Sequence, residues 1–343
     1  MSQNYTATDG LMYVGDTPWH GLGVELGQVA TAAEAIAAAN LDWEVIRRDI
    51  FTYQQRPEGA KLSAGAKPAG EHMMVPVPGK KAYVRQDTKE VLAIMSDRYQ
   101  PVQNTDAFGC MDAAVGAGAA IYHTAGSLAG GRKVFILAKL PGDLVVSDRD
   151  LLEKYILLSN AHDGSAALTI HIIPLRKWCK NMLGVRLSGG AFRARHTTNI
   201  LTRVGEIQDL LGTTEAYFEL FLRGAEQLAA TTMTSADALR VFGQTYELDP
   251  NKAIEEQSPF GRDALNNTMT LWRHGRGNVG ATAWDAVNAV VEYVDHMRPV
   301  GNVATSGQKS DVAVVDKRLQ QSWFGQGAAA KQRVWDLLVG GMI

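Results

Sequence analysis

The sequence predicts an α+β protein, with a β-rich N-terminal domain at 1–196 whose hairpins pack on helices and an all-helical domain at 197–343. Two observations carry this. As far as Ile173, short runs of β-branched and aromatic residues alternate with polar ones and are divided by turns rich in Gly, Pro and Asp. From Thr197 onward apolar residues recur at helical spacing almost to the end. Strands followed by helices, with no repeat of fixed period, define the α+β class.

In chain order, Thr31 followed by Glu34 makes a capping box and starts a helix that runs to Asn40. Trp43 to Gln54 alternates around Val45, Ile46, Ile50, Phe51 and Tyr53 as a strand does. Arg56 to Lys80, rich in Gly, Pro, Ala and Lys, reads as an extended loop. Ala82 to Met95 forms a hairpin about a polar turn at Gln86 to Lys89. A helix capped by Thr105 follows, through Met111 and Val115 to a stop at Gly116 and Gly118. Ala119 to His123 and Lys133 to Leu140 pair across the Gly126 to Gly131 loop. Tyr155 to Asn160 and Ala166 to Ile173 pair across a turn containing Asp163-Gly164, a dipeptide that accepts positive φ at little cost. Pro174 suits the first turn of a helix, so Leu175 to Leu183 is expected to be helical. Ile207 to Leu228 marks one long or broken helix. Others span Ser235 to Phe242, Pro259 to Arg273, Ala283 to Met297 and Gln326 to Leu338.

At 343 residues, 46% hydrophobic and 20% charged, the chain has the composition of a globular protein with a large core. The first ten residues lack the basic start and apolar centre of a signal peptide, and no apolar run approaches the roughly 18 residues of a membrane span. A cytoplasmic protein with no membrane contact is expected. Two cysteines, Cys110 and Cys179, cannot build a disulfide framework or a cysteine zinc cluster, so both are expected reduced and buried.

Charge distribution is the informative feature. From Gly164 to Gly205, 42 residues pass without Asp or Glu, yet the segment holds Arg176, Lys177, Lys180, Arg186, Arg193, Arg195 and Arg203. The whole chain has net charge −2, so this excess is local. Clustered cations suit a polyanion, because phosphate contacts release condensed counterions. A solvated face, or pairing with acids elsewhere in the fold, is the plainer reading. His196 adjoins the window, and Trp178 and Phe192 lie inside it, where aromatic rings could stack on unpaired bases. At helical spacing with Leu175 and Met182, however, Trp178 is expected in the core.

Nucleotide-driven chemistry finds no motif. Gly79-Lys80-Lys81 lacks the earlier glycine and the hydroxyl of a phosphate loop, and Gly21, Gly23 and Gly27 miss the dinucleotide spacing. Gly130 to Phe135 lacks the aromatic alternation of an RNA-binding strand. A hydrolase would gather His162, Asp163, His171 and His196, with His20 or His123, around a metal or a shared proton. No His-Glu-x-x-His element is present, and Asp163 has its turn role. The expectation is therefore no cofactor, no metal and no catalytic residue, with His162, Asp163 and Gly164 shaping a turn beside the basic residues.

Pro18-Trp19-His20-Gly21-Leu22-Gly23, Ser96-Asp97-Arg98-Tyr99, Ser159-Asn160-Ala161-His162-Asp163-Gly164-Ser165, Pro174-Leu175-Arg176 with Cys179, Asn181 and Leu183, and Arg195-His196-Thr197 resemble the phage/plasmid-like protein family. That family is built on domain of unknown function 932, and the likeness continues through Trp284 to His296 and Phe324-Gly325. Lys180 stands where such proteins usually carry Gln. At the level of fold alone, the order of strands and helices is similar to phage single-strand annealing recombinases of the Erf and Red-beta groups. This resemblance implies binding of single-stranded DNA, or RNA, by a homo-oligomeric ring or filament, with ATP-independent strand annealing or recombination. Arg176, Lys177, Lys180, Arg186, Arg193, Arg195 and Arg203 would follow the backbone, with His196 beside them. Two other readings stand beside this one: a metal-dependent nuclease or hydrolase using His162 and Asp163, and an anti-defence factor whose basic face meets an acidic protein surface.

Overall fold

A computed structural model describes residues 10–15, 23–27, 31–55, 67–69, 72–115, 121–147, 150–187, 191–196, 203–301 and 310–340. The motif at Pro18 to Leu22, the glycines at 116 and 118, the loop at 56–66 and the start of the helical half at Thr197 lie outside them.

The larger of two sheets is built from β1 (Leu11–Val14), β2 (Val24–Leu26), β7 (Ile121–Leu128), β8 (Lys133–Val146), β9 (Asp150–Ala161), β10 (Leu168–Arg176), β11 (Asn181–Met182) and β12 (Ala191–Ala194). Its order is β11-β10-β9-β8-β7-β1-β2, with β12 beside β11 on the outer edge of β10. All pairs are antiparallel except β1 with β2. Its central strands are buried on both faces, which explains their nearly unbroken apolar runs. Val134, Ile136, Ile156, Leu158, Ile170 and Ile172 belong to the main core. On the opposite face, Phe135, Leu137, Tyr155, Leu157, Ile173 and Leu175 form a second cluster. The period of two residues along a strand divides them in this way.

The smaller sheet holds β3 (Val45–Gln55), β4 (Lys67–Ala69), β5 (His72–Arg85) and β6 (Val91–Ser96), ordered β3-β5-β4 with β6 also on β5. The β5–β6 hairpin turns over Gln86 to Thr88, within the polar segment expected for it. The loop expected up to Lys80 is instead strand from His72 onward. Pairing of Phe51 to Gln55 with Pro76 to His72 holds this segment extended despite its weak apolar pattern. A tertiary partner outweighs local composition here.

The helices are α1 (Ala32–Ala38), α2 (Asn104–Val115), α3 (Val204–Gly212), α4 (Thr214–Ala230), α5 (Ser235–Thr245), α6 (Pro259–His274), α7 (Ala283–Glu292), α8 (Ser310–Phe324) and α9 (Gln326–Gly340). Capping boxes start α1 at Thr31 with Glu34, α5 at Thr234 with Asp237, and α7 at Thr282 with Asp285. Each satisfies amide donors that a helix start leaves open. Helix α7 is buried on every side and runs into a π-turn at Tyr293–Met297. Helix α8, which the sequence pattern does not announce, covers the second face of the large sheet with Leu319, Val315, Trp323 and Phe324.

The helix expected from Leu175 to Leu183 is absent. β10 continues through Pro174 to Arg176, paired with β9, and a turn at 177–180 leads into β11. Pro174 fits a strand here because its carbonyl accepts from Leu183 N–H at 3.0 Å on the β11 side. Its missing N–H faces that same side, so the ladder to β9 loses no bond. The main core contains residues from both halves, including Leu158, Ile170, Phe218, Val287 and Trp335. The boundary at 196/197 thus marks a change from strands to helices within a shared core.

Phe221 stacks on Trp335 with ring centroids 4.8 Å apart and meets Trp284 edge-on, joining α4, α9 and α7. Phe221→Ala is expected to destabilise the protein by about 3–5 kcal/mol, from lost transfer energy and a residual cavity. Urea unfolding followed by circular dichroism checks this.

Candidate nucleic-acid interface

Arg176 closes β10 and is only 1% exposed. Its Nε donates to both oxygens of Asp150, at 2.8 and 2.6 Å. Nη1 donates to the Arg276 carbonyl at 3.1 Å and to Asn278 Oδ1 at 2.8 Å, and Nη2 donates to the Gly277 carbonyl at 2.7 Å. Asp150 also accepts from Trp284 Nε1 at 2.7 Å. Burial is the largest influence and opposes the charge of Arg176, but the hydrogen bonds to Asp150 together with the attraction of Asp150 and other nearby groups raise its pKa above the ordinary value. The guanidinium is thus consumed inside the fold. Arg176 therefore leaves the set of candidate phosphate contacts.

What Arg176 does is hold two loops together. One is the turn at 177–180, where Lys177 N–H donates to the Leu151 carbonyl at 2.9 Å. The other is the loop after α6, where Gly277 has φ +74° and a Cβ there would lie 3.1 Å from Arg176 Nη2 and 3.5 Å from Trp178 Cβ. The acids of this region face inward. Asp285 receives backbone N–H groups of Val279, Gly280, Ala281 and Thr282, and Glu292 receives that of Arg276. Lys177, Arg273 and Arg276 face outward, and Lys180, at φ +55°, is half-buried. Among these cations Trp178 stands 64% exposed. Its expected place in the core rested on the helix that does not form, and the turn delivers the ring to the surface instead.

The other cations divide. Arg203 is neutralised by Glu206, with Nε donating at 2.8 Å and Nη2 closer still, and its guanidinium lies over Phe192 at 4.6 Å. It too leaves the candidate set. Arg193 and Arg195 are exposed while Phe192, Ala194 and His196 are buried, the alternation of an edge strand. Arg193 is opposite Thr169 at the start of β10, and Lys177 follows the other end. The strand between them spans about 24 Å at roughly 3.4 Å per residue. Arg186 is exposed, with its N–H bound to Gln332 Oε1 at 2.6 Å. The basic window is therefore two separated surfaces plus Arg186, not one track.

Three motifs of the family resemblance meet between the sheets. Tyr99 stacks on His196 at 4.9 Å, and its hydroxyl donates to the Ala161 carbonyl at 3.1 Å. His162 Nε2 lies 2.8 Å from Asn104 Oδ1. Asn104 uses its amide N–H on the Leu41 carbonyl, so its oxygen accepts and Nε2 carries the imidazole proton. Trp43 meets His162 edge-on at 5.3 Å. Trp43 Nε1, Asn160 Oδ1, His162 Nδ1 and both His196 nitrogens are buried without a hydrogen bond of good geometry among the described residues. Asp163 Oδ1 accepts from Ser165 N–H at 2.9 Å, and Gly164 takes φ +73°. Burial, aided by nearby His196, pushes His162 down to about 3, and burial also lowers His196.

This geometry counts against the hydrolase reading. His162 is wholly enclosed, with Nε2 committed to Asn104, and Asp163 is engaged in its turn. Among the described residues no group of three His, Cys, Asp or Glu is placed to hold a metal ion. Both cysteines are buried, and burial pushes their thiols up to about 12, so neither is a nucleophile at neutral pH. No described helix is long and apolar enough to cross a membrane.

Sequence reasoning missed Asp150, Arg276 and Asn278 because they join Arg176 across separations of 26, 100 and 102 residues, where local pattern carries no signal.

A largely antiparallel sheet flanked by helices on both faces, with an internal arginine beside a turn that exposes a tryptophan, defines an α+β protein. The family described as domain of unknown function (DUF932) matches residues 91–323, more than half of the 343-residue chain, and the protein belongs to that family. No curated protein and no solved structure gives a significant match.

Arg176→Leu would leave Asp150 buried without its cation, and a loss of about 3–5 kcal/mol in urea unfolding is expected. The buried histidines set a pH dependence. Unfolded, they take up protons near their ordinary value of 6.5, whereas folded His162 does so only near 3. The unfolded state binds more protons between these values, so stability is full above about pH 6.5 and falls as pH drops toward 3. Unfolding midpoints at pH 7.5, 6 and 5 should decline in that order, and His162→Gln should make the decline shallower.

Proposed function

We propose that this protein binds single-stranded nucleic acid on the surface around Trp178, and that several protomers side by side pair complementary strands without ATP. One observation carries the reading. An indole 64% exposed stands in the turn that carries Lys177 and Lys180, against the loop that carries Arg276, while Asp150, Asp285 and Glu292 are buried and turned inward. Unpaired bases stack on such a ring whatever their identity, and the cations take the phosphates. A duplex hides its base faces and gains only the electrostatic part.

Arg193 and Arg195 supply a second contact at the other end of β10. One protomer offers too few cations to hold a long strand, so a continuous array needs neighbouring copies as a ring or filament. Nucleic-acid pairing of this kind needs neither hydrolysis nor catalytic carboxylates, and it would operate in the cytoplasm of a bacterial host.

Fluorescence anisotropy with single- and double-stranded oligonucleotides at two salt concentrations tests the proposal. Trp178→Ala should weaken single-strand binding by about 1–3 kcal/mol, the value of one stacked base. Lys177→Ala with Lys180→Ala should flatten the plot of log affinity against log salt by about 1.4, from roughly 0.7 per phosphate contact. Light scattering with a long strand present should show species well above one chain. Unchanged affinity and slope in folded variants would remove this surface from consideration.

A further inference from the structure

A cleft of about 500 Å³ opens between β10, the segment 183–187 and the junction of α8 with α9. None of Lys177, Trp178, Lys180 or Arg276 lines it, so it is independent of the strand-binding surface. Its size lies within the range of small-molecule sites, about 300–1,000 Å³.

The wall carries two held rings. Trp323 has its Nε1 at 3.1 Å from Met182 Sδ and Phe135 edge-on at 4.7 Å, and Lys133 lies over the Phe324 ring at 5.1 Å. Most polar groups at the cleft are already committed. Lys331 donates to the Met182 carbonyl, to Asp295 and to Ser322. Arg333 is paired with Glu247 at 2.8 Å, and Asp336 accepts from Gln332 Nε2 at 2.8 Å. Gln332 also grips the backbone of Arg186 from both sides, accepting its N–H at 2.6 Å and donating to its carbonyl at 3.3 Å. That grip fixes where the Arg186 side chain leaves the rim. Burial and the Arg186 charge push His171 down to about 4, so at neutral pH it is an uncharged imidazole able to donate or accept.

We propose that this cleft binds a small organic anion of mononucleotide size, its planar ring against Trp323 and Phe324 and its phosphate or carboxylate on Arg186 and His171. Rings suit the aromatic wall, and Arg186 supplies the positive charge that an incoming anion meets. A bare inorganic ion would leave the apolar part of the cleft unfilled.

Titration calorimetry on the full chain with deoxycytidine monophosphate, benzoate and inorganic phosphate tests this and separates a nucleotide from an aromatic acid as the source. At least one ring-bearing anion should bind with a Kd of about 1 mM or tighter, and inorganic phosphate about ten-fold more weakly. Arg186→Gln and His171→Asn should each weaken the better ligand about ten-fold, as loss of a charge-assisted or buried hydrogen bond does. Ala329→Trp, at an exposed position of α9 on the cleft, should fill it and abolish binding while circular dichroism stays native. The proposal is overturned if neither ring-bearing anion binds at about 10 mM, if phosphate binds as tightly, or if folded Arg186→Gln and Ala329→Trp both bind unchanged. Binding of oligonucleotides through Trp178 is read in a separate assay, so failure of one site leaves the other to be judged alone.

Discussion

A guanidinium removed from water must find an acid and enough acceptors inside the protein, and Arg176 organises the structure around that requirement. Desolvation of an unpaired cation would cost far more than any one packing contact returns. Asp150 supplies the charge, while Arg276, Gly277 and Asn278 supply acceptors from a loop far along the chain. Trp284 binds the same carboxylate and brings α7 into the network. One residue thereby ties the end of β10, the start of β9, the loop after α6 and the central buried helix. The turn that follows Arg176 is anchored at its start as a result, and Lys177 and Trp178 stand exposed from it.

The large sheet imposes the second constraint. Its central strands are apolar on both faces, so both need cover. Helices α4 and α7 belong with the core on one side, and α8 closes the other with Leu319 and Trp323. Where α8 ends, the cover stops, and the cleft beside Trp323 and Phe324 follows from that ending. Arg186 reaches the rim because Gln332 of α9 holds its backbone. The same packing that completes the core thus leaves a bounded opening with an arginine at its edge.

The residues of the family motifs divide between these tasks. Tyr99, Asn160, His162 and His196 lie together where the two sheets meet, Tyr99 partly and the others fully buried, and their chemistry is that of a joint. A neutral histidine suits such a joint, since it packs as a flat ring while Nε2–H serves a single acceptor. The cations of the acid-free segment, in contrast, have separate fates. Arg176 is buried on Asp150 and Arg203 is paired with Glu206 nearer the surface; Lys177, Arg186, Arg193 and Arg195 are exposed.

Much of the architecture was legible in the sequence because its signals are local. Thr31 with Glu34 announced α1, Asp163-Gly164 announced a turn, and alternation or helical spacing marked the β5–β6 hairpin, β7 to β10, α4 and α6. The charge excess of the segment from Gly164 to Gly205 was equally plain, since net charge needs no fold to be counted. Tertiary structure alone decided which of those charges reach solvent. Leu175 to Leu183 carries helical spacing, yet pairing with β9 draws Pro174 to Arg176 into a strand, and that single change buries Arg176 and exposes Trp178. The acid that neutralises Arg176 lies 26 residues earlier and its carbonyl acceptors about 100 later, so no window of sequence contains the pairing. Local pattern specifies elements through backbone geometry and periodicity. Whether a charged side chain is a surface contact or an internal tie depends on which distant groups the fold brings within hydrogen-bonding distance.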